Sequence, residues 1–183
     1  MKTLVEKLLY GGGVFFDLTK WLIFAVIVLV LINTYWISIF LVDGLSMEPS
    51  LHDNELVLMD KSFYRGGKEP KRGEAVIVQY PGDPEKKKYV KRVIGLPNER
   101  LKIANGRALI NDRLLIENYL PFSVGSAPDG EWNMDQNEYF LMGDNRPNSN
   151  DSRYFGPVEK RFFIGKALLI LFPHLRAIEL PSY

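Results

Sequence analysis

The sequence contains no cysteine. Without thiols the chain cannot form a disulfide, and it cannot use a cysteine as a nucleophile. Thiol catalysis is therefore excluded as a function class. The lack of cysteine does not indicate the redox compartment of the protein, because such a chain can work in an oxidising or a reducing environment.

Histidine and net charge are also scarce. The chain has two histidines and a formal net charge of +1 across 183 residues. No basic patch with interleaved aromatic residues is present, so we expect no nucleic-acid partner. His52 and His174 each stand apart from other ligand-type residues, and no cluster has metal-ligand spacing. We therefore expect neither a metal ion nor another cofactor.

In contrast, residues 21–42 form one long apolar run without charges. As a helix, its 22 residues would be about 33 Å long, which is enough to cross a bilayer core of about 30 Å. The run is too long for the apolar region of a cleavable signal peptide, and no small-x-small cleavage pattern follows it. It is therefore predicted to be an uncleaved signal-anchor.

The charges around this run predict its orientation. Lys2, Lys7 and Lys20 precede it, whereas residues 43–60 contain no lysine or arginine. By the positive-inside rule, residues 1–20 are predicted to be cytoplasmic and residues 43–183 to form an extracytoplasmic domain. This predicts a cell membrane protein that crosses the bilayer once.

Downstream of residue 45 no long segment has the helical period, and short β-rich runs alternate with turn residues. A hairpin is predicted around Asn105-Gly106, a pair that favours a type I′ turn. The segments 121–136 and 80–88 are predicted to be a surface loop and a charged turn. The fold class is therefore mainly β, an antiparallel domain behind one transmembrane helix. The predicted strands cover residues 56–59, 75–78, 89–94, 101–104, 107–110, 139–142 and 167–172.

Ser46 is a candidate nucleophile because of its position, four residues beyond the apolar run. A serine hydroxyl needs a base to attack an acyl carbon at neutral pH. His52 is close in sequence, but nothing around it resembles a catalytic triad. Lysine is an alternative base if burial lowers its pKa from the reference value of about 10.4.

Lys91 has a suitable context, since it lies within an apolar, strand-like stretch. Strand side chains alternate between faces, so Lys91 can face inward while Arg92 faces solvent. This stretch alone favours a solvated lysine on an edge strand over a buried one. A polar segment, residues 143–156, follows a later strand and combines aspartate, asparagine, serine and arginine. It can be a hydrated loop or a layer of polar groups that supports a site.

Taken together, four segments resemble the signature motifs of type I signal peptidases, and they occur in the family's order. The motifs are Ser46-Met47-Glu48-Pro49-Ser50, residues 72–77, residues 89–97 and residues 143–153. The resemblance covers the chain from the apolar run to about Phe172. It implies an antiparallel β fold with a compact, single-anchor architecture and a Ser-Lys dyad.

The resemblance also implies the roles of individual residues. Ser46 would be the nucleophile and Lys91 the neutral general base, and the enzyme would act through an acyl-enzyme. Ser149 matches the serine that orients the lysine amine. Asp151 and Arg153 match the pair that holds the 143–153 segment in place. Asp144 and Arg146 also fall on the family motif.

The match is least complete at Gly44, where some relatives carry a serine that stabilises the oxyanion. The oxyanion hole is therefore expected to use the backbone N–H of Ser46, aided by water or by the backbone at Gly44. The pairs Asn54-Glu55 and Gly73-Glu74 stand where Gly-Asp is commoner in the family. Pro147 stands where an acidic residue often occurs.

By resemblance, the substrates are the signal peptides of exported preproteins, which end in an Ala-x-Ala-like pattern. The other expected partner is the lipid bilayer, and the protein is expected to act as a monomer near the secretion translocon. Shallow pockets for small side chains are expected from Val42, Met47, Leu51, Tyr89 and Val90, although plain core packing explains each of them equally well.

Three other functions are weighed against this one. A self-cleaving repressor would need a DNA-binding module and a cytoplasmic location, and the predicted membrane anchor argues against it. An inactive signal-peptide-binding protein would lack the serine or the lysine. A specialised Ser-Lys peptidase that matures one pilus or conjugation substrate is not separated by the sequence from a general signal peptidase.

Overall fold

A computed structural model describes residues 3–80, 82–121, 125–178 and 180–181, without the side chains of residues 4–13. Lys2, the side chain of Lys7, residue 81 of the predicted turn and residues 122–124 of the predicted loop therefore lie outside what it describes. The chain divides into two compact units, residues 1–37 and residues 38–183.

The first unit consists mainly of helix α1, Leu4–Tyr35. Within it, Val14–Tyr35 is long and apolar enough to cross a membrane, and none of this stretch is buried inside the protein. Asp17 and Lys20 lie in this stretch and form an ion pair of 2.7 Å one turn apart. The pairing offsets the two charges within the helix.

The prediction of one helix over residues 21–42 is wrong in its last third. The helix ends at Tyr35, and Ile37–Leu41 forms strand β1 at the edge of a sheet next to β2. Apolarity does not distinguish a helix from a strand, but the alternation in Ile-Ser-Ile-Phe-Leu suits a strand. Its odd positions, Ile37, Ile39 and Leu41, are exposed.

The second unit is built on a large sheet with the strand order β1-β2-β11-β3-β4-β9-β10, and β12 pairs with β11. The pairings from β2 to β10 are antiparallel, as predicted. The strand β11 begins at Phe163, four residues before its predicted start. The strands of this sheet after β1 are β2 (Leu56–Asp60), β3 (Ala75–Gln79), β4 (Lys88–Gly95), β9 (Glu138–Met142), β10 (Val158–Glu159), β11 (Phe163–Phe172) and β12 (Arg176–Ala177).

A smaller sheet has the order β7-β6-β5-β8. Its hairpin turns at Asn105 and Gly106, both with positive φ, which confirms the predicted type I′ geometry. The predicted loop over residues 121–136 is wrong where β8 forms, because pairing with β5 orders a segment with little pattern of its own. The strands are β5 (Arg100–Ala104), β6 (Arg107–Ile110), β7 (Arg113–Leu114) and β8 (Gly130–Asn133).

The strand β4 is covered on both faces. One face carries Val90, which packs in one core cluster, and the other face carries Val93, which packs in a second cluster. Further along, β4 also packs against the smaller sheet through Ile94. Every residue from Val90 to Gly95 is buried as a result. The prediction that Arg92 faces solvent is therefore wrong, since the alternation of exposed and buried residues holds only where one face meets water.

Two one-turn helices complete the unit, α2 (Ser62–Arg65) and α3 (Ser152–Phe155). Their shortness agrees with the expected absence of long helical periods after residue 45.

Candidate active site

Ser46 lies in a turn between β1 and β2. The turn is anchored by Met47 and Leu51, which are fully buried in the core cluster. The N–H of Leu51 donates to the Met47 carbonyl at 2.9 Å and closes one turn of chain around the anchor. The two apolar side chains therefore fix the backbone on the C-terminal side of Ser46, while its hydroxyl remains available.

Lys91 reaches this hydroxyl from β4. Its Nζ lies 2.6 Å from Ser46 Oγ, although the two residues are 45 positions apart in sequence. The Lys91 residue is 3% exposed. Burial lowers the pKa of the Lys91 ammonium to about 8, and the nearby carboxylates of Asp151 and Asp144 offset part of that effect. About a tenth of the amine is therefore neutral at pH 7.

Residues 143–153 form hydrogen bonds that hold the turn containing Ser46. The Asn145 N–H donates to the Ser46 carbonyl at 3.1 Å, and its Nδ2 donates to the Leu45 carbonyl at 3.0 Å. Asn145 has no role in the sequence-based assignment, although it lies within the motif that suggested the family. Its position three residues after a buried strand is the available signal.

Asp151 and Arg153 form a completely buried ion pair, with both side chains 0% exposed. Arg153 Nε donates to Asp151 Oδ1 at 2.7 Å, and Nη2 donates to Oδ2 at 2.8 Å. Asp151 also caps α3 and accepts from the N–H of Gly143 at 2.9 Å. The pair thereby ties the two ends of the polar segment together.

Asp144 and Arg146 do not pair with each other through their side chains. Asp144 accepts from buried Arg92, at 2.8 Å from Nε and 2.6 Å from Nη2. Arg146 donates to Glu117 at 2.9 Å, and it also contacts Ser126. The sequence reasoning missed Arg92 and Glu117 as partners, because both lie far from the motif and no local pattern links them to it.

Ser149 Oγ is buried and has no hydrogen-bond partner among the described residues. It therefore does not make the implied hydrogen bond to Lys91 in this structure. A β-carbon added to Gly143 would lie 2.3 Å from both Ser149 Oγ and the Ser46 carbonyl oxygen. The close approach of these groups requires glycine at position 143, and it places the Ser149 hydroxyl beside the Ser46 backbone.

The backbone before Ser46 bends at Gly44, which has φ of 98°. The Gly44 N–H donates to Asp53 Oδ1 at 2.7 Å. That amide is therefore occupied, contrary to the expectation that it aids an oxyanion hole. The Ser46 N–H makes no hydrogen bond within the described part of the chain, and it is free to donate to a substrate.

Four of the five expected pocket residues belong to the core. Val42, Met47, Leu51 and Val90 are at most 6% exposed, so they do not line an open pocket here. Their contacts with one another explain this burial. Tyr89 is partly exposed and lines a narrow cleft that Lys91 also borders.

The histidines take no part in this arrangement. His52 lies 3.6 Å from Glu48 with an exposed side chain, and His174 is also exposed. Within the ranges that the structure describes, no group of three or more histidines and carboxylates could hold a metal ion.

Sequence comparison places the chain among known proteins. Residues 15–172 match the family described as "Signal peptidase, peptidase S26". A signal peptidase I from Bacillus amyloliquefaciens is 34% identical, over 94% of this chain and 96% of the relative. Signal peptidase I P from Bacillus subtilis subsp. natto is 33% identical, over 86% of this chain and 89% of the relative.

A solved structure, that of a signal peptidase I from Enterococcus faecalis, is 29% identical and covers 54% of this chain and 97% of its own, with a TM-score of 0.48. Because the family match spans most of the sequence, and full-length relatives share about a third of its residues, membership rests on the sequence comparisons. The chain belongs to the S26 family of signal peptidases, which are serine endopeptidases.

Proposed function

We propose that this chain is a membrane-anchored endopeptidase that removes signal peptides from exported preproteins, with Ser46 as nucleophile and Lys91 as general base. The observation that carries the proposal is the 2.6 Å separation between Lys91 Nζ and Ser46 Oγ, with the amine buried. A buried amine with a lowered pKa is able to accept the serine proton at physiological pH. The names of the relatives supply the substrate class.

In the first half of the reaction, Ser46 Oγ attacks the scissile carbonyl carbon while its proton passes to Lys91 Nζ. The carbonyl oxygen gains negative charge, and the free N–H of Ser46 is the backbone donor available to stabilise it. The C–N bond then breaks, and the Lys91 ammonium returns the proton to the leaving amine. The signal peptide remains attached to Ser46 as an ester.

In the second half, neutral Lys91 takes a proton from a water molecule, which attacks the ester carbon. The bond to Ser46 Oγ breaks, and the proton passes from the ammonium to the serine oxygen. The signal peptide leaves as a carboxylic acid that gives its proton to solvent, and the enzyme is restored without a metal or a redox cofactor.

The apolar helix Val14–Tyr35 supports membrane anchoring of this enzyme. Lys2, Lys7 and Lys20 precede the uncharged run that begins at residue 21 and favour a cytoplasmic N-terminus, which would place residues from about 37 onward outside. The tether between helix and nucleophile is short, since ten residues separate Tyr35 from Ser46. Ser46 would therefore act where a cleavage site leaves the bilayer.

Cleavage of a purified preprotein by the full chain in detergent tests the proposal. Ser46→Ala and Lys91→Ala should each lower kcat by at least about 10⁴-fold, because each removes a reacting group. Lys102→Ala is the matched control, since this lysine is exposed on β5 of the smaller sheet. Cleavage by both dyad variants at the wild-type rate would refute the assignment.

A further inference from the structure

A narrow cleft borders Lys91 and takes no part in the proposed dyad. Its walls are Val78, Tyr80, Tyr89, Phe155 and Val158, and Asn150 also lines it. We propose that this aromatic cleft is the subsite for the substrate side chain that immediately follows the scissile bond. The inference rests on the proposed function and deepens it, because it names a determinant of cleavage-site choice on the leaving-group side.

The strand register places the cleft on the same face of β4 as the Lys91 side chain. Val76 pairs with Lys91, and Val78 pairs with Tyr89, so these four side chains share one face of two neighbouring strands. The opposite face of β4 carries Val90, which packs against core residues. The cleft is thus separated by the sheet from the cluster that anchors the serine turn.

The reaction places the leaving group close to this face. Lys91 Nζ must come within hydrogen-bond reach, about 3 Å, of the leaving amine to return a proton to it. That amine is the backbone nitrogen of the residue after the scissile bond. Its side chain begins two bonds further on, so it lies within a few ångström of Lys91. A cleft that Lys91 itself borders is within reach of that side chain.

The walls of the cleft define the class of side chain that it accepts. The Tyr80 and Phe155 rings lie 4.4 Å apart between centroids and form an aromatic wall, with Tyr80 directly after β3 and Phe155 at the end of α3. Tyr89 donates its hydroxyl hydrogen to Asp83 at 3.1 Å, so that hydroxyl already has a partner. Apart from Lys91 itself, no charged group lines the cleft among the described residues. A charged substrate side chain would therefore lose water without gaining a partner.

An acidic side chain carries a second disadvantage. It would stabilise the Lys91 ammonium, as the Asp151 and Asp144 carboxylates already do in part. The base would then hold its proton more tightly and accept the Ser46 proton less readily. The free volume of the cleft is about 20 Å³, so we expect small apolar residues to be favoured at this substrate position, with lysine, aspartate and glutamate disfavoured.

The test uses one preprotein with Ala, Leu, Phe, Lys or Asp directly after its cleavage site. The full chain and its Phe155→Ala and Tyr80→Ala variants are compared by kcat/KM, after thermal unfolding has shown that each variant folds. For the wild type, Ala should exceed Asp by at least about tenfold. Each variant should raise the rate for Phe relative to Ala by about tenfold, since truncation of the wall makes room. Phe172→Ala, an exposed phenylalanine at the end of β11, is the matched control and should leave the order unchanged.

Two outcomes would overturn the subsite. In one, the order of the five substrates is the same in the wild type and in both cleft variants. In the other, the variants change the pH dependence of cleavage without changing that order, which would make the cleft a shield that keeps water from Lys91. Both outcomes leave the proposed function intact, because they require cleavage above the level of Ser46→Ala. Absence of cleavage for every substrate would instead contradict the proposed function.

Discussion

The Gly44 amide donates a hydrogen bond to the Asp53 carboxylate across 2.7 Å, nine residues along the chain. The contact closes the segment that carries Ser46 into a loop. Two backbone hydrogen bonds reinforce the closure, from Val42 N to the Glu55 carbonyl and from Asn54 N to the Val42 carbonyl, both 2.9 Å. Asp53 therefore holds Gly44 in a positive-φ conformation that an L side chain rarely adopts.

This relationship predicts that Asp53 is a positioning residue. Asp53→Ala should lower kcat by about tenfold with little change in KM, because a small shift of Ser46 relative to Lys91 is costly in the transition state. Asp53→Asn keeps an acceptor oxygen and should retain most of the activity. Steady-state kinetics of the two variants on one preprotein check the prediction. Equal activity of the alanine and asparagine variants would show that the hydrogen bond does not matter.

The pH dependence of cleavage should report on Lys91. Burial lowers the pKa of its ammonium to about 8, and the neutral amine is the active form. We therefore expect kcat/KM to rise with pH through about 8 and to fall by about tenfold per pH unit well below it. The Lys102→Ala variant should show the same fall of kcat/KM below about pH 8. A profile that stays flat on acidification would contradict Lys91 as a neutral base.

The same pKa shift has a consequence for stability. The folded-state pKa lies below the ordinary value of 10.5, so the unfolded chain binds more protons between about pH 8 and 10.5. The contribution of Lys91 to the free energy of unfolding should therefore rise with pH through this window. Lys91→Met should weaken that rise, as measured by denaturant unfolding at several pH values. An unchanged pH dependence in this variant would contradict the shift.

Ser149 should be more important for rate than for stability. Its buried hydroxyl has no partner among the described residues, so Ser149→Ala removes an unsatisfied group. The free energy of unfolding should stay the same or rise by up to about 1 kcal/mol. The rate kcat should nevertheless fall at least about tenfold if the hydroxyl turns to the Lys91 amine during the reaction. Thermal unfolding and single-turnover cleavage separate the two effects, and wild-type kcat would exclude this role.

Gly143 is expected to be irreplaceable for reasons of space. A β-carbon there would lie 2.3 Å from Ser149 Oγ and from the Ser46 carbonyl oxygen, so Gly143→Ala must displace the nucleophile turn. We expect a loss of about 10²-fold in kcat/KM. Gly66→Ala is the matched control, because the nearest atom to its β-carbon would be 3.7 Å away. If both variants have similar activity, the backbone at position 143 can shift to accept a β-carbon without a loss of rate.

Several parts of the fold follow from local sequence because local energetics decide them. Asn105 and Gly106 tolerate positive φ, and the hairpin forms where this pair occurs. The strands after residue 55 carry their β-branched and apolar residues in short runs between turn residues, and most form within two residues of their predicted bounds. Ser46 and Lys91 are assigned differently, by the resemblance of several segments together to a known family, because the stretch around Lys91 alone also fits a solvated lysine.

The sequence by itself thus determined the mainly β class, an apolar N-terminal segment, and which residues could carry chemistry. Tertiary structure decided where the helix ends and which charges meet, since β1 pairs with β2 and Asp144 pairs with Arg92 rather than Arg146. It also decided that Asp53 occupies the Gly44 amide. The physical reason is the distance along the chain over which each interaction acts. Turn preferences act within a few residues, whereas a buried charge pairs with whichever group the packed sheets bring within about 3 Å.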